Sequence, residues 1–345
     1  MNNNWHRKNV FVTGAFGLLG SWLVRDLVAK GANVIVLIRD IFPTSFLIAD
    51  GFDKNIIQVQ GDLCDYSALI RILNEFDIDT VFHLGAQTIV GYANRSPLST
   101  FHSNIEGTWN LLEACRQSPW VKKIIVASSD KAYGDQKILP YTEETSLQGK
   151  HPYDVSKSCT DLIAQSYFHT YKLPVCITRC GNIFGPGDLH WNRIIPGTIS
   201  SLLKNESPII RSDGSHIRDY IYVKDVVFAY ITLAEQMNDT NMLGHAFNIS
   251  EEYPISVLEL VSLVTRLMKK EHILPSVKNS ATAEIQDQHL SCSKFKSMCN
   301  WKPSYGLIQG LIETIEWYSN YNQFLSSSTA VFVQNVLVKA DEKVY

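Results

Sequence analysis

The sequence predicts an α/β protein: a doubly wound parallel sheet with helices on both faces, followed by a smaller C-terminal α/β lobe. Three observations carry that expectation. Short β-branched apolar runs recur through the first half of the chain, amphipathic stretches of helical length separate them, and a glycine-rich turn joins the first run to the first helical stretch.

The first run, Asn9–Thr13, leads through Gly14-Ala15-Phe16-Gly17-Leu18-Leu19-Gly20 into a helical pattern over Trp22–Lys30. Strands are expected next at Asn33–Ile38, Ile56–Val59, Thr80–Leu84, Lys123–Ser129 and Val175–Arg179, with helices at Tyr66–Glu75, Pro97–Gln117 and Tyr153–Tyr171. Near-continuous Val, Ile and Leu is the pattern of strands covered by helices on both faces, and right-handed crossovers wind such units into one sheet. After Arg179 the pattern changes to Gly- and Pro-rich loops, 181–187 and 207–214, mixed with apolar helices around Val223–Glu235 and Ser256–Lys269. Residues 1–182 are therefore expected to form the main domain, with 219–248 returning to it, and 183–218 and 249–323 a second lobe. A tail follows at 324–345, Ser-rich and then apolar over Ala330–Val338, suited to docking or to an interface strand.

At 345 residues the chain can bury a sizeable core without staples. Lys and Arg number 31 against 34 Asp and Glu, a net charge of −3, and no basic block offers the surface that nucleic-acid binding needs. A small-molecule partner is expected instead. The seven cysteines are odd in number, scattered and never in a CxxC pair, which argues against a disulfide framework and against a metal site. They read as reduced thiols of a cytoplasmic protein. Residues 1–9 are polar, and no stretch approaches the ~20 apolar residues of a membrane span, so neither export nor membrane insertion is expected.

The glycine turn lies between a strand and a helix, where such glycines carry chemistry. Gly14 would permit the tight turn, Gly17 would let backbone N–H groups approach a pyrophosphate, and Gly20 would allow close helix–strand packing. The spacing GxxGxxG, with a Rossmann-like fold around it, resembles the extended short-chain dehydrogenase/reductase superfamily. That resemblance implies a tightly bound NAD or NADP, held by the loop with Phe16 and Leu18 and by Leu63, Leu84 and Ala86 at later strand ends. It also implies that Asp62 binds the adenine amino group, although a turn or helix cap is an equal reading of that Asp. At the end of the second strand, Ile38 stands where an NAD-binding Asp would usually sit and Arg39 beside it favours NADP slightly. Asp40 keeps NAD open.

Tyr153 and Lys157, four residues apart on a predicted helix, share one face, and a neighbouring ammonium would lower the phenol's pKa toward a usable base. The stretch Ser128-Ser129-Asp130-Lys131 follows an apolar run, at the carboxyl end of a strand where open α/β sheets place their chemistry. Ser129 would hydrogen-bond the reacting hydroxyl. Epimerases that resemble this chain carry small or neutral residues after that Ser, whereas nucleotide-sugar 4,6-dehydratases carry an acid followed by a second proton-transfer residue. Asp130-Lys131 matches the latter, and Ser-Asp-Lys resembles the CDP-glucose 4,6-dehydratase type within the NAD-dependent epimerase/dehydratase family. His83-Leu84-Gly85-Ala86-Gln87 and Asn104 in Asn-x-x-Gly-Thr support the resemblance, which runs from about Asn9 to Trp317. Two departures stand out: Gly85 replaces the more usual Ala, and Ile285–Lys294 lacks the Arg often used on the nucleotide phosphate.

The resemblance implies a chemistry. Tyr153 takes the proton of the sugar 4-hydroxyl as C4 is oxidised, Lys131 takes the C5 proton, and Asp130 protonates the departing 6-hydroxyl. Adjacent Asp130 and Lys131 would titrate together. The nucleotide-diphosphate sugar, best matched by CDP-glucose, would lie along Gln87, Asn104, Asn182, Arg193, Arg211 and Arg218, the arginine forks suiting phosphate oxygens. The helices through Asn104–Cys115 and Tyr153–Tyr171 resemble those that pair subunits in relatives, so a homodimer or dimer of dimers is expected. Two other readings stay open: a nucleotide-sugar 4-epimerase or decarboxylase sharing Tyr153 and Lys157, and a non-catalytic NAD(P)-sensing regulator.

Overall fold

A computed structural model of the chain describes residues 4–40, 45–49, 51–280 and 285–326, with side chains through Tyr321. The expected tail, apart from the helix end at 324–326, lies outside the described residues. The main sheet contains β1 (Asn9–Thr13), β2 (Asn33–Ile38), β3 (Ile57–Gln60), β4 (Thr80–His83), β5 (Lys123–Ala127) and β6 (Val175–Cys180). After β7 (Asn182–Phe184), β8 (Ile209–Ile210) and β9 (Ile217–Tyr222), the chain supplies its seventh strand, β10 (Ala246–Ile249). The order is β3-β2-β1-β4-β5-β6-β10, and every pairing is parallel. Strand order reverses between β1 and β4, so their carboxyl ends flank a crevice.

Period-two alternation along the strands builds two cores. Val10 and Val12 of β1 pack with Val34 and Val36 of β2 under the helices Leu18–Ala29 and Val223–Gln236. Phe11 and Ile35 face the opposite side, under the helices Tyr66–Glu75, Gly107–Gln117 and Pro152–Tyr171. All four of those valines and both larger residues are 1% exposed or less, and full burial contributes about 1.5–3 kcal/mol for a side chain of this kind. β3 departs from the expected two-sided burial. It is the sheet edge, with Ile57 44% exposed.

The first helix starts at Leu18, four residues before the expected Trp22, because the glycine loop itself opens it. The expected helix Pro97–Gln117 is built of three pieces: Pro97–Phe101, a π-helical turn His102–Glu106 and Gly107–Gln117. The wide turn contains Asn104, whose side chain is buried toward its neighbours.

A second lobe holds a three-stranded sheet in which β9 pairs in parallel with β7 and antiparallel with β11 (Pro254–Ser256). A short parallel pair joins β8 to β12 (Ser276–Val277). Residues 219–222, expected to return to the main sheet, instead belong to this small one. The return starts with the helix Val223–Gln236 and is completed by β10. Helix Val257–Leu267 begins at a capping box in which Ser256 accepts from Glu259 N and Glu259 reaches back to Ser256 N.

Candidate active site

Thr13 ends β1, and Gly14 turns the chain at φ +72°, where a Cβ would stand 2.7 Å from Gly85 N. A Cβ on Gly20 would lie 2.1 Å from the Gly14 carbonyl oxygen, so the helix packs on its own loop. Gly17 differs: it is exposed, and a Cβ there would meet only the Gly14 oxygen, at 3.4 Å. The space beside it is bounded by the first turn of Leu18–Ala29, which carries no acidic residue and no side-chain cap. Free N–H groups and the positive end of the helix dipole fit the pyrophosphate of a dinucleotide. Phe16 and Leu18 flank this loop half-buried, Phe16 against the main core and Leu18 against that of the second lobe.

Beside the loop, Thr13 Oγ1 contacts His83 Nδ1 at 2.8 Å and accepts the Gly85 N–H at 3.0 Å. His83 Nε2 reaches Thr108 Oγ1 at 3.0 Å, and Thr108 donates to the Asn104 carbonyl at 2.6 Å. Burial pushes the His83 imidazole down to about 3, so this chain of hydrogen bonds runs through a neutral ring. It also explains the glycine at 85. A Cβ there would stand 3.0 Å from Leu63 Cδ1 and 3.1 Å from Thr13 Oγ1.

β5 runs into a 3-10 turn, Asp130–Tyr133, capped by Ser129, whose hydroxyl accepts the Lys131 N–H at 3.2 Å and donates to Asp130 Oδ1 at 2.9 Å. The helix Pro152–Tyr171, started by a proline in its first turn, is stitched to this turn. Ser158 donates to the Ala132 carbonyl at 2.9 Å, Ser128 to the Lys157 carbonyl at 3.2 Å, and Lys157 Nζ to the Ala127 carbonyl at 2.7 Å. Beneath the turn, Tyr133 donates to Asn248 Oδ1 and accepts from Arg179, and Arg179 forms a bidentate pair with Asp161. Tyr153 and Lys157 thus reach the turn from one helix face, 8% and 4% exposed, with Ser129 bearing on the Tyr153 phenol.

The electrostatics differ from the expectation in one respect. Burial pushes the Tyr153 phenol up to about 12, opposed by the Ser129 hydrogen bond and by Arg193. Lys157 Nζ donates to the Ala127 carbonyl at 2.7 Å. Burial pulls Lys157 itself down to about 8. Asp130 is 3% exposed and burial raises its pKa, partly offset by Lys131, the Ser129 hydrogen bond and Arg218. Its Oδ2 is buried without a partner. A carboxyl held in the protonated form is what a proton donor requires.

The other expected residues divide. Asn104 is 1% exposed, and its amide is spent on the Gln87 carbonyl at 3.0 Å and Ser156 Oγ at 2.9 Å while its oxygen accepts Gln87 N–H at 2.7 Å. It is a strut between the β4 loop and the Tyr153 helix. Gln87 stands half-buried with Leu84 and Ala86 at the carboxyl end of β4. Asp62 accepts the Cys64 N–H at 2.8 Å, the turn role. Leu63 is wedged against the helix at Gly107, where a Cβ would come within 2.7 Å of it. Arg39 pairs with Asp40 at 2.6 Å on the surface. Asn182 lies in β7 opposite Tyr220. Arg193 pairs with Asp188 at 3.0 Å and bears on the Tyr153 charge, and Arg218, 8% exposed, bears on Asp130. Arg211 holds Asn192 on the outside of the second lobe, its Nη2 2.7 Å from the Asn192 side chain.

Three participants carried no sequence signal. Gln288 accepts from Lys131 Nζ across 157 residues of chain. Asp219, fully buried, accepts from Ser250 and from Leu290 N–H, and burial pushes its carboxyl up to about 7. Asp154, whose pKa burial raises, faces Lys131 and His151.

A family model described as GDP-mannose 4,6 dehydratase matches residues 11–314. CDP-glucose 4,6-dehydratase of Salmonella typhimurium is 29% identical over 334 residues, covering 92% of this chain and 92% of that protein. Among solved structures, dTDP-glucose 4,6-dehydratase of Bacillus anthracis in complex with NAD superposes with a TM-score of 0.81 at 26% identity, covering 92% of this chain and 98% of that one. UDP-glucose 4-epimerase of Thermotoga maritima with UDP-glucose gives 0.82 at 27% identity, covering 91% and 99%. With the glycine loop, the Tyr153–Lys157 helix and the parallel sheet, these matches place the chain in the GDP-mannose 4,6 dehydratase family, as an enzyme of the extended short-chain dehydrogenase/reductase superfamily.

Proposed function

We propose that this enzyme is a nucleotide-sugar 4,6-dehydratase, with CDP-glucose the first candidate substrate, yielding the 4-keto-6-deoxyhexose nucleotide and one water. The observation that carries the reading is the buried Asp130 beside Lys131, on a turn capped by Ser129, whose hydroxyl donates to Asp130. An epimerase needs oxidation and reduction at C4 alone. A dehydratase needs a further base for C5 and an acid for the 6-hydroxyl, and this turn supplies both types.

A nicotinamide dinucleotide held at the 14–20 glycine loop would supply the acceptor for the C4 hydride and its donor to C6. Tyr153, once ionised to the phenolate, accepts the 4-hydroxyl proton beside Ser129. Lys157, easily neutralised at its burial-lowered pKa, is a second group through which that proton can pass. The 4-ketone acidifies C5, Lys131 takes the C5 proton, and Asp130 gives its proton to the departing 6-hydroxyl, which leaves as water. Arg193 and Arg218 supply cations for the diphosphate. Arg39 is neutralised by Asp40, so a 2′-phosphate must compete with that carboxylate, and NAD is the cofactor this pair favours over the NADP suggested by Arg39 alone.

The exposed Leu98, Trp109 and Leu162, at 69%, 44% and 54%, lie on the helical segments Pro97–Gln117 and Pro152–Tyr171 and support a homodimer through these helices. Trp109→Glu should yield monomers by sedimentation; an unchanged mass would remove this face from the interface. We place the enzyme in the cytoplasm on its free cysteines. Among the described residues no helix is long and apolar enough to cross a membrane.

The deciding experiment incubates the protein separately with the CDP-, dTDP-, GDP- and UDP-hexoses and weighs the products. A product lighter by one water supports dehydration, an isomer of unchanged mass supports the epimerase, and no product from any of them ends both readings.

A further inference from the structure

Lys131 must hold its nitrogen in one place before and after it gains a proton, yet a lysine ends in a freely rotating group on a flexible stem. Its Nζ donates to Gln288 Oε1. Gln288 is fully buried and its backbone is clamped on both sides: Gln288 N–H donates to the Ile217 carbonyl at 3.1 Å, and the neighbouring His289 carbonyl accepts the Tyr141 N–H at 2.9 Å. Asp287 forms a bridge with Ile217, and Leu290 one with Tyr141. The side chain therefore springs from a fixed point. Its Nε2 is buried without a hydrogen-bond partner, a cost that an apolar side chain would not carry. Among the described residues, the contact of its oxygen with Lys131 is the one hydrogen bond made by this side chain.

We propose that Gln288 is a positioning residue for Lys131, its amide oxygen holding the lysine nitrogen so that the remaining lone pair is aimed at the hexose C5. The inference rests on the dehydratase reading. When the C5–H bond breaks, its electron pair moves toward the C4 carbonyl oxygen and the proton passes to Nζ. An amide oxygen accepts an N–H from the amine and from the ammonium alike, so the contact survives the transfer. A carboxylate would accept from either form but would stabilise the ammonium and so oppose its deprotonation. The titratable groups around Lys131 are of both signs: Asp130 and Asp154 face it, Arg218 and Asp219 bear on Asp130, and His151 bears on Asp154. A neutral side chain at 288 adds no further negative charge beside Lys131.

The test compares purified wild type with Gln288→Met and Gln288→Glu. The titration midpoint of Lys131 is followed by the NMR signal of isotope-labelled dimethyl-lysine, assigned by its loss in Lys131→Arg. Water loss and reduced-nicotinamide absorbance are followed with whichever nucleotide-hexose the wild type dehydrates. Gln288→Met should slow water loss by about tenfold or more while reduced nicotinamide accumulates. Gln288→Glu should raise the Lys131 midpoint by about one pH unit or more and move the acidic limb of water loss to higher pH with it. Equal loss of oxidation and water loss in Gln288→Met, or an unmoved Lys131 midpoint in Gln288→Glu, overturns the proposal. If the Met variant fails to fold, the nearly isosteric Glu variant decides. If wild type dehydrates nothing, the dehydratase reading falls, and the Lys131 midpoint in Gln288→Glu still decides whether the contact governs that lysine.

Discussion

Asp161→Asn tests whether the buried ion pair under the catalytic turn holds that turn in place. Asp161 and Arg179 are 0% and 3% exposed and meet through two hydrogen bonds, of 2.7 and 2.9 Å. An Asn keeps the shape but removes the charge and turns an N–H toward the guanidinium, leaving Arg179 charged and under-solvated. Breaking a buried pair on one side costs about 3–5 kcal/mol. Arg179 keeps the Tyr133 hydroxyl at 2.8 Å, the Glu143 carbonyl at 3.2 Å and the Tyr133 ring at 4.9 Å. These partners put the expected loss at the lower end, about 3 kcal/mol, against a total stability of about 5–15 kcal/mol. At about 2–4 °C per kcal/mol for a large domain, the melting temperature should fall by about 6–12 °C. Circular dichroism melts and guanidinium titrations measure it. A loss below about 1 kcal/mol would refute the reasoning, because the charge would then have found solvent or other partners. The paired change Asp161→Leu with Arg179→Met should recover most of the loss, since no uncompensated charge is left; a double variant as unstable as the sum of the two singles refutes the same argument.

Lys131→Met should abolish water loss while reduced nicotinamide still forms from the nucleotide-hexose, and normal turnover in that variant removes Lys131 from the mechanism. Asp219→Asn should stabilise the fold at pH 8 and not at pH 4. The carboxyl rises from its ordinary 3.8 to about 7 on folding, so between these values the folded state holds the extra proton and stability falls as pH rises. About three units correspond to at most about 4 kcal/mol, and equal melting shifts at both pH values would count against a buried protonated acid. Asp40→Ala should free Arg39 and move cofactor preference toward NADP, measured by the ratio of NADP to NAD dissociation constants; an unchanged ratio would take Arg39 out of the 2′-position.

Much of the scaffold was legible because it depends on short spacings. Val10, Phe11 and Val12 alternate, and that alternation alone assigns them to opposite helical layers. The glycine turn announced a cofactor loop because Gly14 and Gly20 stand where any Cβ would strike backbone. The second lobe was less legible. β7 and β11 have three residues each, and β9 finds both its partners far along the chain, so no local period marks this sheet. β3 was expected to be covered on both faces, yet Gln58 and Gln60 alternate with Ile57 and Val59, as suits the sheet edge where it lies.

The sequence by itself determined the residue types and their local order: Ser129-Asp130-Lys131 after a strand, and Tyr153 and Lys157 one helical turn apart. Only the tertiary structure decided what state those groups are in. Burial pushes the Tyr153 phenol up while Lys157 reaches the Ala127 carbonyl, Asn104 is consumed as a strut, and Lys131 donates to Gln288 from far along the chain. The physical reason is that periodicity along a chain encodes which way a side chain points, whereas its charge state and partner depend on burial and on neighbours brought in from other elements.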